Sequence, residues 1–187
     1  RILAIDQKSG DIQDLIGTEL RLSGYYDKVR RKEAFQHAAS AYKLAEESGN
    51  DVGLLQACDL LISSFQTTSE NDECKAMLDQ AMAKAIQRGV PSELAKFHDR
   101  FGRFHVRAEK YDDAIKQFQL GLVALNYTVP SDNPATGNAK ADKYLAELLL
   151  DMGQCYRAQH DTAGALMHLA ECERLIKANP EVRVVPW

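Results

Sequence analysis

The chain has 187 residues, 45% of them hydrophobic and 27% charged, with a formal charge of -4 at neutral pH. That length and apolar share suffice for a substantial core in one elongated domain, while the acidic balance argues against general nucleic-acid binding, which needs clustered lysine and arginine to neutralise phosphates. No apolar run approaches the roughly 18 to 20 residues of a membrane span and no signal peptide opens the chain, so a cytoplasmic protein is expected.

Sparse proline and glycine favour an all-helical chain from the outset. Residues 1–10 read as an N-terminal tail or linker, and the opening at Arg1 without methionine is what a piece excised from a longer protein would show. From Asp11, an N-cap residue type, Ile12, Leu15, Ile16, Leu22 and Tyr26 follow helical spacing, predicting a first helix to about Tyr26. Its partner, over about 32–47, carries Phe35, Ala38, Tyr42 and Ala45 on one stripe, and the basic residues Lys28, Arg30, Arg31 and Lys32 mark a solvated turn between the two. Gly49 stops that helix in the left-handed conformation glycine tolerates, and Asp51 is expected to cap the next. The helix over about 51–67 is apolar on most sides (Leu54, Leu55, Cys58, Leu60, Leu61, Ile62, Phe65), as befits an element covered on most sides. A helix over about 71–87 ends at Gly89-Val90-Pro91. Two further helices fill 91–126, a turn-rich exposed loop spans 127–137, and a last pair covers 138–178. Residues 179–187 form a C-terminal tail, apolar up to Trp187.

The stretch 95–128 holds the pattern that orders the rest. Phe101-Gly102 and His105 are followed by Ala114, twelve residues after the glycine, and then Phe118 and Gly121. Met152-Gly153, Tyr156, Ala165, Leu169 and Cys172 repeat it, again with twelve residues from glycine to alanine. Where two helices cross about 8 to 10 Å apart, one must offer Gly or Ala at the contact while its neighbour supplies a large side chain. This pattern resembles the tetratricopeptide (TPR) repeat, Leu-Gly-x2-Tyr followed by Ala-x3-Phe, over residues 11 to 178. Ile62 stands at the glycine position of the second pair, which should widen that crossing, and the first helix of the first pair matches poorly. Repeat starts near residues 19, 55, 95 and 146 give a period above the 34 of the plain repeat. The chain is in this respect similar to the longer-period arrays of LGN-type adaptors, kinesin light chains and MalT-type regulators, and Ser131-Asp132-Asn133-Pro134 is similar to the kinesin-light-chain loop. The fold the resemblance implies is all-α, a right-handed α-solenoid of about eight helices in four TPR-like hairpins, paired over 11–48, 51–88, 91–126 and 138–178.

Enzymatic signatures are absent: no P-loop, GxGxxG, GxSxG or HExxH occurs, and no enzyme is expected, an enzyme with an unrecognised site being the remote alternative. The four cysteines, Cys58, Cys74, Cys155 and Cys172, lack CxxC spacing and fall at small packing positions, so they are expected to act as compact hydrophobes, with no disulfide framework, metal or cofactor. His98 and His105 fall among Phe97, Phe101 and Phe104 and are expected to be core histidines; His37 and His168 show no partner at useful spacing. The resemblance implies that the first helix of each pair lines a concave groove. On those helices the face left over by packing carries Gln56, Asp59, Ser63 and Gln66, then Lys96, Asp99, Arg100, Arg103 and Arg107, then Glu147, Asp151 and Gln154. The two-carboxylate clamp of chaperone-binding TPR proteins is not reproduced. The arginine stripe points to an acidic or C-terminal carboxylate group of a partner, with ion pairing between repeats as the alternative. A protein-interaction scaffold binding a peptide or helix in the groove is therefore expected, with a sensory or regulatory TPR domain of a larger protein as the alternative.

Overall fold

The structure, a computed structural model, describes residues 11–27, 29–65, 67–131 and 138–182. The N-terminal tail, Lys28, Gln66, residues 132–137 and the tail from 183 to Trp187 lie outside them. Among the described residues the chain is all-α, with eight helices and no strand: α1 (Ile12–Tyr26), α2 (Arg31–Ser48), α3 (Asp51–Ser64), α4 (Thr68–Arg88), α5 (Pro91–Arg107), α6 (Tyr111–Ala124), α7 (Ala139–Ala158) and α8 (Thr162–Ala178).

The helix ends follow local chemistry. Asp11 accepts from the backbone N–H groups of Gln13 (2.8 Å) and Asp14 (3.4 Å), satisfying two orphan donors of α1. Asn50 rather than Asp51 caps α3, its Oδ1 accepting from Gly53 N at 2.8 Å, so Asp51 becomes the first helical residue, where its charge suits the helix dipole. Asp161 caps α8 in the same way through Gly164 N. Gly49 (φ +68°) and Gly89 (φ +64°) terminate α2 and α4 in the left-handed region. Pro91 opens α5, where its missing N–H costs nothing.

The chain divides into two compact units, Arg1–Ala81 and Met82–Trp187. In the first, α1 packs on α2, α2 on α3, and α1 also on α3; in the second, α5 packs on α6, α6 on α7, α7 on α8, and α5 also on α7. Within each unit a first helix thus packs both on its own partner and on the next first helix, the local packing of hairpins in helical-solenoid folds.

The second unit is built on two glycine crossings. A Cβ on Gly102 would lie 2.1 Å from the Phe118 ring, and one on Gly153 would lie 2.7 Å from the Leu169 side chain. In both, sixteen residues separate the glycine from the side chain it admits, so one spacing sets both hairpins. Gly121 repeats the device between α6 and α7, where an added Cβ would stand 3.0 Å from Leu148. In the first unit Ile62 and Leu78 occupy the matching positions and both are buried. Its α1–α2 contact includes buried polar pairs: Ser23 Oγ donates to the Ala34 carbonyl at 2.9 Å, His37 Nδ1 pairs with the buried Glu19 carboxylate at 2.7 Å, and the His37 ring stacks on Tyr26. Three of the four buried residues of α1, Thr18, Glu19 and Ser23, are polar, so the apolar repeat motif is faint there. Tyr42 reaches from α2 to α4, donating to the Met77 carbonyl at 2.7 Å.

Two further histidines have hydrogen-bond partners. His98 Nδ1 meets Gln117 Oε1 at 2.9 Å, and His168 Nδ1 meets the Gly164 carbonyl at 2.9 Å while its ring stacks on Tyr156. All four cysteines are buried free thiols, and burial pushes Cys74 and Cys155 up to about 12 and Cys172 to about 11. After α6, Thr128 and Pro130 are exposed as their turn-forming stretch leads one to expect, but the loop's first residue is not. Tyr127 is buried and donates to Glu171 Oε1 at 2.8 Å, the Ser131 N–H donates to the same oxygen at 3.1 Å, and Arg174 holds Oε2 at 2.7 Å. Val182, past the last helix, is buried in the same core as Leu145, Leu149 and Leu175.

Candidate functional site

The polar positions of the first helices fall into two groups, one in each unit. In the first unit, α1 and α3 frame an open cleft of about 460 Å³ lined by Gly17, Leu20, Arg21, Gln56, Asp59 and Leu60. Gln56 is exposed and Asp59 half-buried, so both of these sequence-marked residues face the cleft. Ser63 is exposed, but its hydroxyl donates to the Leu60 carbonyl of its own helix at 3.0 Å, as serine does inside helices. Gln66 lies outside the described residues. The α1 wall, Gly17, Leu20 and Arg21, was not among the marked residues, because α1 carries the poorest repeat motif. One signal was present: Gly17 sits inside a helix with no crossing to explain it, since an added Cβ would meet only Arg21 Nη1, at 3.4 Å. A smaller hollow of about 190 Å³, lined by Thr18, Arg21, Leu22 and Tyr25, lies along the same helix.

In the second unit, α5 and α7 bring their marked residues into direct contact. Asp99 is 4% exposed and Asp151 1%, so neither lies on a solvated face. Arg103 Nε stands 3.1 Å from Asp151 Oδ2 and 3.3 Å from Asp99 Oδ2, and Arg100 Nη1 donates to Asp99 Oδ2 at 2.7 Å. Buried carboxylates need such partners, since an uncompensated buried charge is strongly destabilising. Lys96 places its ammonium 5.0 Å from the centroid of the Tyr144 ring on α7, a cation–π geometry. Glu147 is only partly exposed, and loss of water, reinforced by the charge on Asp99, raises its carboxyl above the ordinary value. Arg107 is exposed at the end of α5 and Gln154 half-buried on α7. Spacing placed these residues on one face of each helix with ion pairing between repeats as the alternative to partner binding, and Arg103 with Asp151 makes such a pair. Among the described residues no three His, Cys, Asp or Glu side chains converge as metal ligands, and no helix is long and apolar enough to cross a membrane.

No protein-family model and no curated protein matches the chain. Among solved structures, the crystal structure of BtubC (BKLC) from P. vanneervenii is similar, with a TM-score of 0.58 at 17% identity, over 95% of this chain and 69% of that one. At that identity the likeness is one of fold, and the fold it shares is the all-helical arrangement described above.

Proposed function

We propose that this chain is an interaction module of the TPR superfamily, of the longer-period kind, that receives a peptide or helix of a protein partner on its first-helix faces. The observation that carries the reading is the α1–α3 cleft. It combines apolar walls from Leu20 and Leu60 with a hydrogen-bonding amide at Gln56 and opposite charges at Arg21 and Asp59, the mixture of apolar bulk and a few polar groups by which concave sites seat a ligand. Gly17 removes a side chain from the floor and leaves the α1 backbone approachable. A segment with one apolar anchor flanked by polar side chains fits these walls.

Photo-crosslinking tests it. A photoreactive residue at position 20 or 56 should yield a discrete crosslinked partner in cell extract, identified by mass spectrometry. The same residue at exposed position 123, on α6, should not, and Leu20→Asp with Asp59→Arg should abolish the product while circular dichroism stays unchanged. Equal labelling from position 123, or a product indifferent to the double change, would place binding elsewhere.

A further inference from the structure

The hairpins α5–α6 and α7–α8 share one register, with equivalent residues fifty-one positions apart. Gly102 admits Phe118 as Gly153 admits Leu169. A Cβ on Gly121 would stand 3.5 Å from the Ala95 carbonyl oxygen, where Cys172 Sγ stands 3.4 Å from that of Ala146. Glu109 (φ +58°) and His160 (φ +62°) turn the two hairpins in the same conformation. In that register a hollow of about 330 Å³ on α7–α8, lined by Arg157, His160, Thr162, Ala165, Leu166 and Leu169, takes the place of Val106, Glu109, Tyr111, Ala114, Ile115 and Phe118. On α5–α6 that place is filled: Ala114, Ile115 and Phe118 are buried in one core with Leu145, Leu148, Leu149 and Met152 of α7, and Val106 and Tyr111 pack against it. Ile115 is 8% exposed, whereas Leu166 at the equivalent position is 63% exposed. The flank of α8 thus has the shape of an interface whose second half is not among the described residues.

We propose that this flank receives an amphipathic helix of a protein partner, seated on α8 as α7 is seated on α6. Leu148 of α7 lies over Gly121, while Gln159 Nε2, just past the end of α7, donates to Asp112 Oδ1 near the start of α6 at 2.6 Å, so the two helices run antiparallel. The incoming helix therefore crosses α8 antiparallel, with its apolar stripe on Leu166 and Leu169. Two departures from the α5–α6 pattern set its charges. Glu173 stands where α6 has the buried Leu122, and Arg157 stands where α5 has Val106. Both are exposed; Glu173 is met by Lys177 of its own helix, and no carboxylate pairs with Arg157 among the described residues. A helix that complements them carries a basic residue in its N-terminal half, toward Glu173, and an acidic one in its C-terminal half, toward Arg157. A second α7 is the wrong occupant, because its Leu148 would be set against a carboxylate. This surface belongs to a different unit from the α1–α3 cleft, and neither site depends on the other.

The probe is a fluorescein-labelled peptide of the α7 sequence, residues 139–158, carrying Leu148→Arg, titrated into the full chain and followed by anisotropy. It should bind saturably. Leu166→Asp, at an exposed site that leaves the fold intact, should weaken binding about tenfold or more, whereas Val123→Asp, at a similarly exposed residue of α6, should not. The unmodified α7 peptide should bind the wild type more weakly than the Leu148→Arg peptide, and Glu173→Leu should reverse that order. No saturable binding, indifference to Leu166→Asp, or an order that Glu173→Leu leaves unchanged overturns the proposal. A change in the emission of Trp187, the one tryptophan, on Leu166→Asp without peptide would give the flank to the chain's own tail and also overturn it. So would a concentration-dependent mass in sedimentation that Leu166→Asp abolishes, which would give the flank to a second copy. Crosslinking from positions 20 and 56 is independent of these outcomes, so a failure here leaves the interaction-module reading standing.

Discussion

The two units pack their first helices side by side in the same way and do different things with the surface this creates. In the first unit, α1 and α3 leave an open cleft with mixed walls. In the second, α5 and α7 fill the corresponding surface with their own charges, burying Asp99 and Asp151 against Arg100 and Arg103. Their interiors differ in the opposite sense: the second unit needs glycine at two crossings, whereas the first accommodates Ile62 at the equivalent place. A repeat fold thus fixes which helices meet and leaves open whether their shared surface is spent on holding the helices together or kept for something else.

The largest expected effect exploits the crossings. Gly102→Leu drives a side chain into the Phe118 ring and should cost about 3 kcal/mol, at the upper end of overpacking penalties, whereas Ile62→Leu, which conserves volume, should cost about 1 kcal/mol or less. Urea unfolding of the two variants measures both, and equal costs would mean that the glycine register does not distinguish the units. Next comes the charge cluster. Asp151→Ala removes one buried carboxylate partner of Arg103 and should destabilise by about 2 kcal/mol, while Gln56→Ala, at the open cleft, should stay within about 0.5 kcal/mol. If thermal melts ranked these two the other way, the α1–α3 surface would be the structural one.

The smallest effect is a pH dependence. Burial and Asp99 raise the folded carboxyl of Glu147 above its ordinary value of 4.5, so the folded protein holds a proton that the unfolded chain has already released. Stability from this group is therefore greatest at low pH and declines as pH rises from 4.5 through the raised value. Glu147→Gln should remove that decline, so the variant gains on the wild type as pH rises through this window. Parallel stability-against-pH curves would show that Glu147 titrates alike in both states.

Much of this was legible in the sequence wherever the governing interaction is local or repeats at fixed spacing. Helical periodicity located the eight helices, and the glycine-to-alanine spacing anticipated both crossings because packing there depends on side-chain size alone. Reading failed where the partner is far along the chain. Tyr127 has the neighbours of a loop residue, and its burial depends on Glu171, forty-four residues away. His37 shows nothing at helical spacing because its partner, Glu19, sits on another helix. The same limit applies to the candidate sites. Gln56 and Asp59 were visible as leftover polar positions, but the α1 wall opposite them was not; for the stripe of Lys96, Arg100, Arg103 and Arg107 ion pairing between repeats was foreseen, but not that Asp99 and Asp151 would be buried by it.

Glu171 also bears on how this chain tolerates change. By holding Tyr127 and Ser131 with one oxygen and Arg174 with the other, it ties the exit of α6 to α8 before the chain reaches α7. The geometry of the last hairpin is therefore secured independently of the number of residues between Ser131 and Asn138. Lengthening a connection whose ends are already pinned costs only loop-closure entropy, about 0.6 kcal/mol per doubling. A longer connection between Ser131 and Asn138 should thus cost this protein's folding little, provided that the glutamate remains.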